Sequence, residues 1–171
     1  MKLLRFVPRT NDFGYLDNSG DWSLFVKGKP INSWKPITVK YVAHGKKSGD
    51  FPGLLLNVPV FSKNAWEILQ KLVEKDVQAF EITTKVGPYF VINVLAVIDC
   101  LDKKHSEFVY YPNGSIMRVA SYVFKKGTIK NHHMFLIPET TGLEVLVTEE
   151  FVNVVQDNKL AGVRFEYVGE A

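Results

Sequence analysis

The sequence predicts an α+β domain, a largely antiparallel β-sheet with two main helices packed on it. Three observations carry this expectation. Two segments have helical periodicity with capping residues, and roughly nine short runs read as strands. Gly, Pro and Asn turns join most of those runs directly, which favours antiparallel neighbours. The 12 Phe, 7 Tyr and 3 Trp are a heavy aromatic load that suits packed sheets. A length of 171 residues fits a single domain spanning 1–171.

The elements follow in order. Residues 2–7 alternate as a strand and lead into a dense set of turn formers from Asn11 to Asp21. Residues 22–26 read as a second short strand, ended by 28–30, and 37–43 as a third. Residues 44–53, HGKKSGDFPG, read as a loop. The first helix covers about residues 62–74. Ser62 is its N-cap, and Ala65, Trp66, Leu69, Leu72 and Val73 form one face. Residues 77–83 alternate, and Gly87-Pro88 reads as a turn. The apolar run 88–99 reads as a strand covered on both faces, with Asn93 as a hydrogen-bonded core amide that fixes register.

Asn113-Gly114 between the β-rich runs 107–111 and 116–124 is the strongest hairpin signal in the chain. A basic turn at 125–130, a short strand at 134–137, a loop at 138–142 and a strand at 143–147 follow. The second helix spans about 148–159, with Thr148 as N-cap and Glu149 and Glu150 in its first turn. Its buried stripe is Phe151, Val152 and Val155. Gly162 stops the helical segment, and 163–168 form the last strand.

The net charge of +3 is unevenly spread. Residues 1–60 hold nine Lys or Arg and four Asp or Glu, a balance of +5; residues 61–171 hold twelve and fourteen, a balance of −2. A basic, loop-rich front (1–52) thus precedes a mildly acidic remainder (53–171), and such asymmetry can mark an interaction face. Cys100 stands alone, so no intramolecular disulfide forms. The first residues lack an uninterrupted secretory apolar region, and the longest apolar run, 89–98, falls well short of the roughly 20 residues that span a bilayer. The expectation is a cytoplasmic protein with no membrane partner.

No motif with a strong mechanism is present: no P-loop, no dinucleotide-binding glycine pattern, no metalloprotease helix, no cysteine pair. His132 and His133 are adjacent, so on a strand their rings diverge, and neither a metal nor a cofactor is expected. Asp99, Asp102, His105 and Ser106 cluster in DCLDKKHS. Two carboxylates, an imidazole and a hydroxyl allow a small enzyme or ligand-binding domain using this turn. The competing reading is that these side chains cap and close the turn. The basic stretch 125–133 follows Tyr122 and Phe124, so a nucleic-acid-binding accessory role is a further alternative. A net +3 is small for a dedicated nucleic-acid binder, so nucleic acid is the less favoured partner.

From residue 53 onward the order of motifs resembles the bacterial immunity-protein family of polymorphic toxin systems. The resemblance lies in a Ser-capped helix after P-x-F-S (Pro59, Phe61, Ser62) and in a strand running from Asn93 to Asp99, followed by Asp102 and Ser106. The ending with Thr148, Phe151, Gly162 and Phe165 completes it. The first fifty residues carry none of these motifs. The resemblance implies a non-enzymatic protein that neutralises a cognate toxin by stoichiometric binding in the cytosol; assembly with a second copy of the chain stays open. The matched residues are structural. Contact with the toxin is therefore expected on the variable front, at Trp22, Trp34, His44, Lys46, Lys47, Asp50 and Phe51, because a specificity surface sits on adaptable loops.

Overall fold

The structure, a computed structural model, describes residues 1–17, 22–25, 27–43 and 47–171, with the backbone alone for Leu56. His44 and Lys46 lie outside the described residues. In chain order the strands and helices are β1 (Lys2–Pro8), β2 (Tyr15–Leu16), β3 (Tyr41–Val42), β4 (Val60–Ser62), α1 (Lys63–Val73), β5 (Val77–Thr84), β6 (Gly87–Val94), β7 (Glu107–Tyr110), β8 (Ile116–Ser121), β9 (Met134–Phe135), β10 (Leu146–Thr148), α2 (Glu149–Asp157) and β11 (Val163–Glu170). They make a four-stranded sheet in the order β11-β1-β10-β9, a three-stranded sheet β4-β6-β5, and the pairs β2-β3 and β7-β8. Every pairing between these strands is antiparallel, so the class is α+β.

Strand periodicity divides the interior in two. Successive side chains of β1 point to opposite faces. Leu4 and Phe6 join the larger core with Met134, Val147 and both helices. Leu3 joins Leu146, Phe135, Leu101 and Val119 on the other face, beneath the β7-β8 hairpin. Helix α1 buries Ala65, Leu69 and Val73, a spacing of one face, and packs on β4, β6 and α2. Helix α2 buries Phe151, Val152 and Val155 and packs on β10 and β1.

The two N-caps form as the sequence requires. Ser62 Oγ accepts from Ala65 N (3.1 Å) and Thr148 Oγ1 from Phe151 N (3.4 Å). Ser62 Oγ also donates to Asp50 Oδ1 (2.6 Å), which ties the front to α1. Ser62→Ala removes both bonds and is expected to lower stability by about 1–2 kcal/mol. Urea unfolding of the variant measures this.

Several boundaries differ from the sequence reading. Residues 22–24 form a 3-10 turn (Trp22–Leu24), because Trp22 and Phe25 fold back into the core instead of pairing. The strand expected at 37–43 is only Tyr41–Val42, although Thr38 also bridges Thr83. The turn expected at Gly87-Pro88 lies at Lys85 and Val86, where Thr84 Oγ1 accepts from Val86 N and donates to Gly87 O. The apolar run after residue 87 stops being a strand at Val94, because Leu95 N and Ala96 N turn to the carbonyl of Asp76.

Asp76 is the joint of the fold. It is wholly buried, Oδ1 lies 2.6 Å from His132 Nδ1, and Oδ2 accepts from His133 N (2.8 Å) and Met134 N (3.2 Å). A single residue beyond the end of α1 thereby holds two segments: its carboxylate binds the entry to β9 and its backbone carbonyl the exit from β6.

Candidate interaction surface

The front is positioned by backbone and side-chain bonds to the edge strand β5. Val39 N donates to Thr83 O, Thr83 N to Ile37 O, and Ile31 N to Gln78 Oε1. Trp34 Nε1 donates to Glu81 O, and its ring packs 5.2 Å from Phe80 and 5.6 Å from Phe25. Residues 31–39 are therefore a strap that covers β5.

This strap changes the contact residues expected from sequence. Trp22 is 2% exposed and Phe51 0%, so both are core side chains with no surface for a partner. The carboxylate of Asp50 accepts from Ser62 Oγ and Ala161 N, so it closes a structural joint. Trp34 is half-buried, and Lys47 is exposed. The basic surplus of the front does reach solvent: Lys27 and Lys29 line an open groove of about 460 Å³ with the exposed Leu24. Among the described residues Lys27, Lys29, Lys35, Lys40 and Lys47 have no ion-pair carboxylate, whereas Lys2, Arg5 and Arg9 do.

The residues of DCLDKKHS are engaged locally. Asp99 pairs with Lys125 (3.0 Å). Asp102 accepts from Lys104 N and lies 2.8 Å from His105 Nδ1. Ser106 Oγ accepts from Val123 N and donates to Val123 O. These are the bonds of a closed turn. The hydrogen bond with His105 holds the Asp102 carboxyl below the ordinary range. A carboxyl depressed in the folded state adds stability above its unfolded pKa of about 3.9, and that stability is lost as pH falls through the folded value. Asp102→Asn is expected to flatten the acid limb of the stability curve below about pH 4. Urea unfolding at stepped pH checks it.

Other sequence-marked groups are also held within the fold. Asn93 Nδ2 donates to Lys29 O and Gln78 Oε1, while its buried Oδ1 has no partner among the described residues. His132 is bonded to Asp76, and His133 Nδ1 lies 3.0 Å from Thr148 Oγ1. Gly162 has φ +104 and meets Gly49 and Phe51 so closely that a Cβ would lie 3.3–3.5 Å from their backbones. Tyr122 and Phe124, the aromatics beside the basic stretch, stack on each other at 5.7 Å and are buried or half-buried. Burial pushes the Cys100 thiol up to about 12, so it is a core side chain and not a nucleophile. Among the described residues, no group of three or more His, Cys, Asp or Glu side chains could hold a metal ion, and no helix is long and apolar enough to cross a membrane.

A second exposed surface, not singled out by the sequence, is formed by the β7-β8 hairpin with β1 and β11. The β7-β8 hairpin is closed at its tip by Asn113, whose Oδ1 accepts from Ser115 N, and by Gly114 at φ +82. It presents the exposed side chains of Tyr110, Tyr111 and Met117. Between β8 and β11 runs a cleft of about 340 Å³, rimmed by Met117, Arg118, Leu143 and Arg164. A second hollow of about 320 Å³ shares Arg5 and Arg118 with it and ends at Tyr167 and Val168.

The cleft floor is a charge network. Arg5 Nε lies 2.8 Å from Glu144 Oε2, an ion pair without hydrogen-bond alignment, and Arg5 Nη1 donates to Glu166 Oε2 (3.3 Å). Tyr122 OH donates to the Glu144 carboxylate at 2.7–2.8 Å. Burial, then the charge of Glu144, raises the Tyr122 phenol well above its usual range, so it stays a neutral donor. Arg164 pairs with Glu166 (2.9 Å). Arg118 has no carboxylate partner among the described residues. Exposed Tyr, Met and Arg on a rigid frame are the residue types that anchor protein interfaces. Any one of them is ordinary on a surface; the signal is their gathering by hairpin and edge strand, which no local pattern announces.

The α+β frame thus carries an open cleft rimmed by Met117, Arg118, Leu143 and Arg164, beside a hairpin with exposed Tyr110 and Tyr111. The model of the Immunity protein family (Imm11) matches residues 74–170, more than half of the chain, so the chain belongs to that family. The matched stretch starts just after α1. It contains Asn93, Asp99, Asp102, Ser106, Thr148, Gly162 and the whole hairpin, and leaves Pro59, Phe61 and Ser62 outside. No curated protein matches the sequence.

Proposed function

We propose that this chain is a cytosolic immunity protein of a polymorphic toxin system, which neutralises its cognate toxin by stoichiometric binding. The observation that carries the reading is membership of the Immunity protein family (Imm11) across residues 74–170. The geometry supports it through a preformed surface: a hairpin and a strand edge held on a packed core need little ordering before they bind. Asp99, Asp102, His105 and Ser106 act in this reading as turn-closing groups, so the protein works by occupancy and uses no catalytic group of its own.

Co-expression in bacteria with the C-terminal domain of the adjacent gene's product tests the proposal. Cells carrying both are expected to grow, and the two proteins to purify together in equal amounts. Death of the co-expressing cells together with absence of a complex overturns it.

A further inference from the structure

A surface that carries one sign of charge selects a partner of the other. The cleft beside the hairpin carries both signs, since Arg5, Arg118 and Arg164 share it with Glu144 and Glu166. The strap carries one. Residues 22–49 contain six Lys and no Asp or Glu. The structure strings four of these lysines along β5, over Gln78 and Asn93 at one end and on the outer edge of the strand at Glu81 and Thr83. The strap is pinned at intervals. Asn93 Nδ2 donates to Lys29 O (2.8 Å), Ile31 N to Gln78 Oε1 (2.9 Å), Trp34 Nε1 to Glu81 O (3.2 Å) and Val39 N to Thr83 O (2.8 Å). From Gln78 to Thr83 it follows β5 for about 17 Å. Lys27, Lys29, Lys35 and Lys40 are exposed along it, and among the described residues Glu81, the one acid of β5, pairs with none of them.

These bonds preform the strap, so it needs little ordering before a partner docks. At its start Lys27 and Lys29 flank an open groove of about 460 Å³, with Leu24 50% exposed and Pro30 and Ile31 beside it. An apolar contact ringed by like charges suits a protein surface. Single-stranded nucleic acid is gripped through bases stacked on free aromatic rings. Among the described residues the strap offers none: Trp22 and Phe25 are buried, and the Trp34 ring packs on Phe25 and Phe80. We infer that an acidic face of the toxin docks on the strap, its carboxylates against Lys27, Lys29, Lys35 and Lys40 and an apolar side chain in the groove on Leu24. A row of one sign steers such a face during approach, so its effect falls mainly on the association rate and is screened by salt.

This inference rests on the immunity reading, and the experiment separates the two. Binding of the full chain to the C-terminal domain of the adjacent gene's product is followed by stopped flow at about 20 mM and about 200 mM salt. The association rate of the unaltered chain is expected to fall about tenfold between them. Lys27→Glu, Lys29→Glu and Lys35→Glu together are expected to weaken binding by about 100-fold at low salt, chiefly through slower association. Lys27→Gln, Lys29→Gln and Lys35→Gln together are expected to weaken it by about tenfold. A control combining Lys104→Glu, Lys126→Glu and Lys130→Glu changes the net charge equally and is expected to stay within about fivefold. All six side chains are exposed, so every variant is expected to keep the Tm of the unaltered chain. Failure of the unaltered chain to bind the domain overturns the function proposal itself. Tight binding that the strap and control reversals weaken alike is an effect of net charge and overturns the docking face alone. Tight binding that the strap reversal leaves intact assigns the lysines to blunting the sheet edge and overturns it too. Binding of a single-stranded RNA oligonucleotide that the strap reversal abolishes, with binding of the domain unchanged, assigns the strap to nucleic acid and overturns the acidic toxin face.

Discussion

Asp76→Ala is expected to destabilise the protein by about 4 kcal/mol, the sum of a lost charged hydrogen bond and two buried amides left without an acceptor. The side chain is wholly buried, and its two oxygens serve His132 Nδ1, His133 N and Met134 N. The carboxylate itself has no exposed surface, and Met134 N is buried with it, whereas the His132 ring is 38% exposed. In a chain of this size such a loss lowers Tm by about 10 °C. Asp76→Asn keeps one oxygen for the two backbone amides but offers an N–H where Oδ1 faced the imidazole, so its cost should fall between wild type and alanine. Thermal and urea unfolding of both variants tests the ranking; a change of less than about 1 kcal/mol for alanine contradicts the hub role.

Phe51→Ala is expected to cost about as much, roughly 3–5 kcal/mol, because it empties a wholly buried position in an aromatic cluster. The Phe51 ring lies edge-on to Phe6 at 5.5 Å and to Phe61 at 5.2 Å, and Phe151 in turn contacts Phe6 and Phe61 at 6.3 Å. The backbone beside it is pinned, since Asp50 N donates to Ala161 O and Ser62 N to Asp50 O, which limits collapse into the cavity. This loss should appear in the isolated protein. If Phe51 were a toxin anchor, the variant would instead unfold like wild type and lose binding alone, so denaturant unfolding separates the two roles.

These two residues also mark where sequence reading reaches its limit. Elements that carry their own local signal were legible. Ser62 and Thr148 cap their helices because a hydroxyl before an amphipathic run meets free amides whatever the tertiary context. Asn113-Gly114 closes its hairpin for an equally local reason. The alternation of Leu3, Leu4 and Phe6 sorts side chains between two cores as a strand must. Asp76 carries no such mark. It stands in EKDV like any surface acid, and the groups that need it lie 56 to 58 residues away.

The front misled for a related reason. Gly, Pro and Lys spacing reads correctly as irregular chain, but irregular chain need not be surface. Trp22, Phe25 and Phe51 lack periodicity, and they are core, with half-buried Trp34 packed on them, because the segment is strapped across β5 and over α1's N-terminus. The anchor-type surface escaped notice because Arg118 and Tyr167 meet only after β8 and β11 are brought together across Arg5. The sequence motifs that resemble the immunity family are packing and capping residues, and those from Asn93 to Phe165 fall within the matched stretch 74–170.

Inhibition by occupancy is tested most directly by one titration. Increasing amounts of the chain are added to a fixed amount of the toxin domain it is proposed to bind, and residual toxin activity is measured. Inhibition by occupancy predicts a linear fall that reaches zero at one chain per toxin, with a complex of the same ratio. Complete loss of toxin activity at a small fraction of equivalence contradicts it, because the chain would then be turning over as an enzyme.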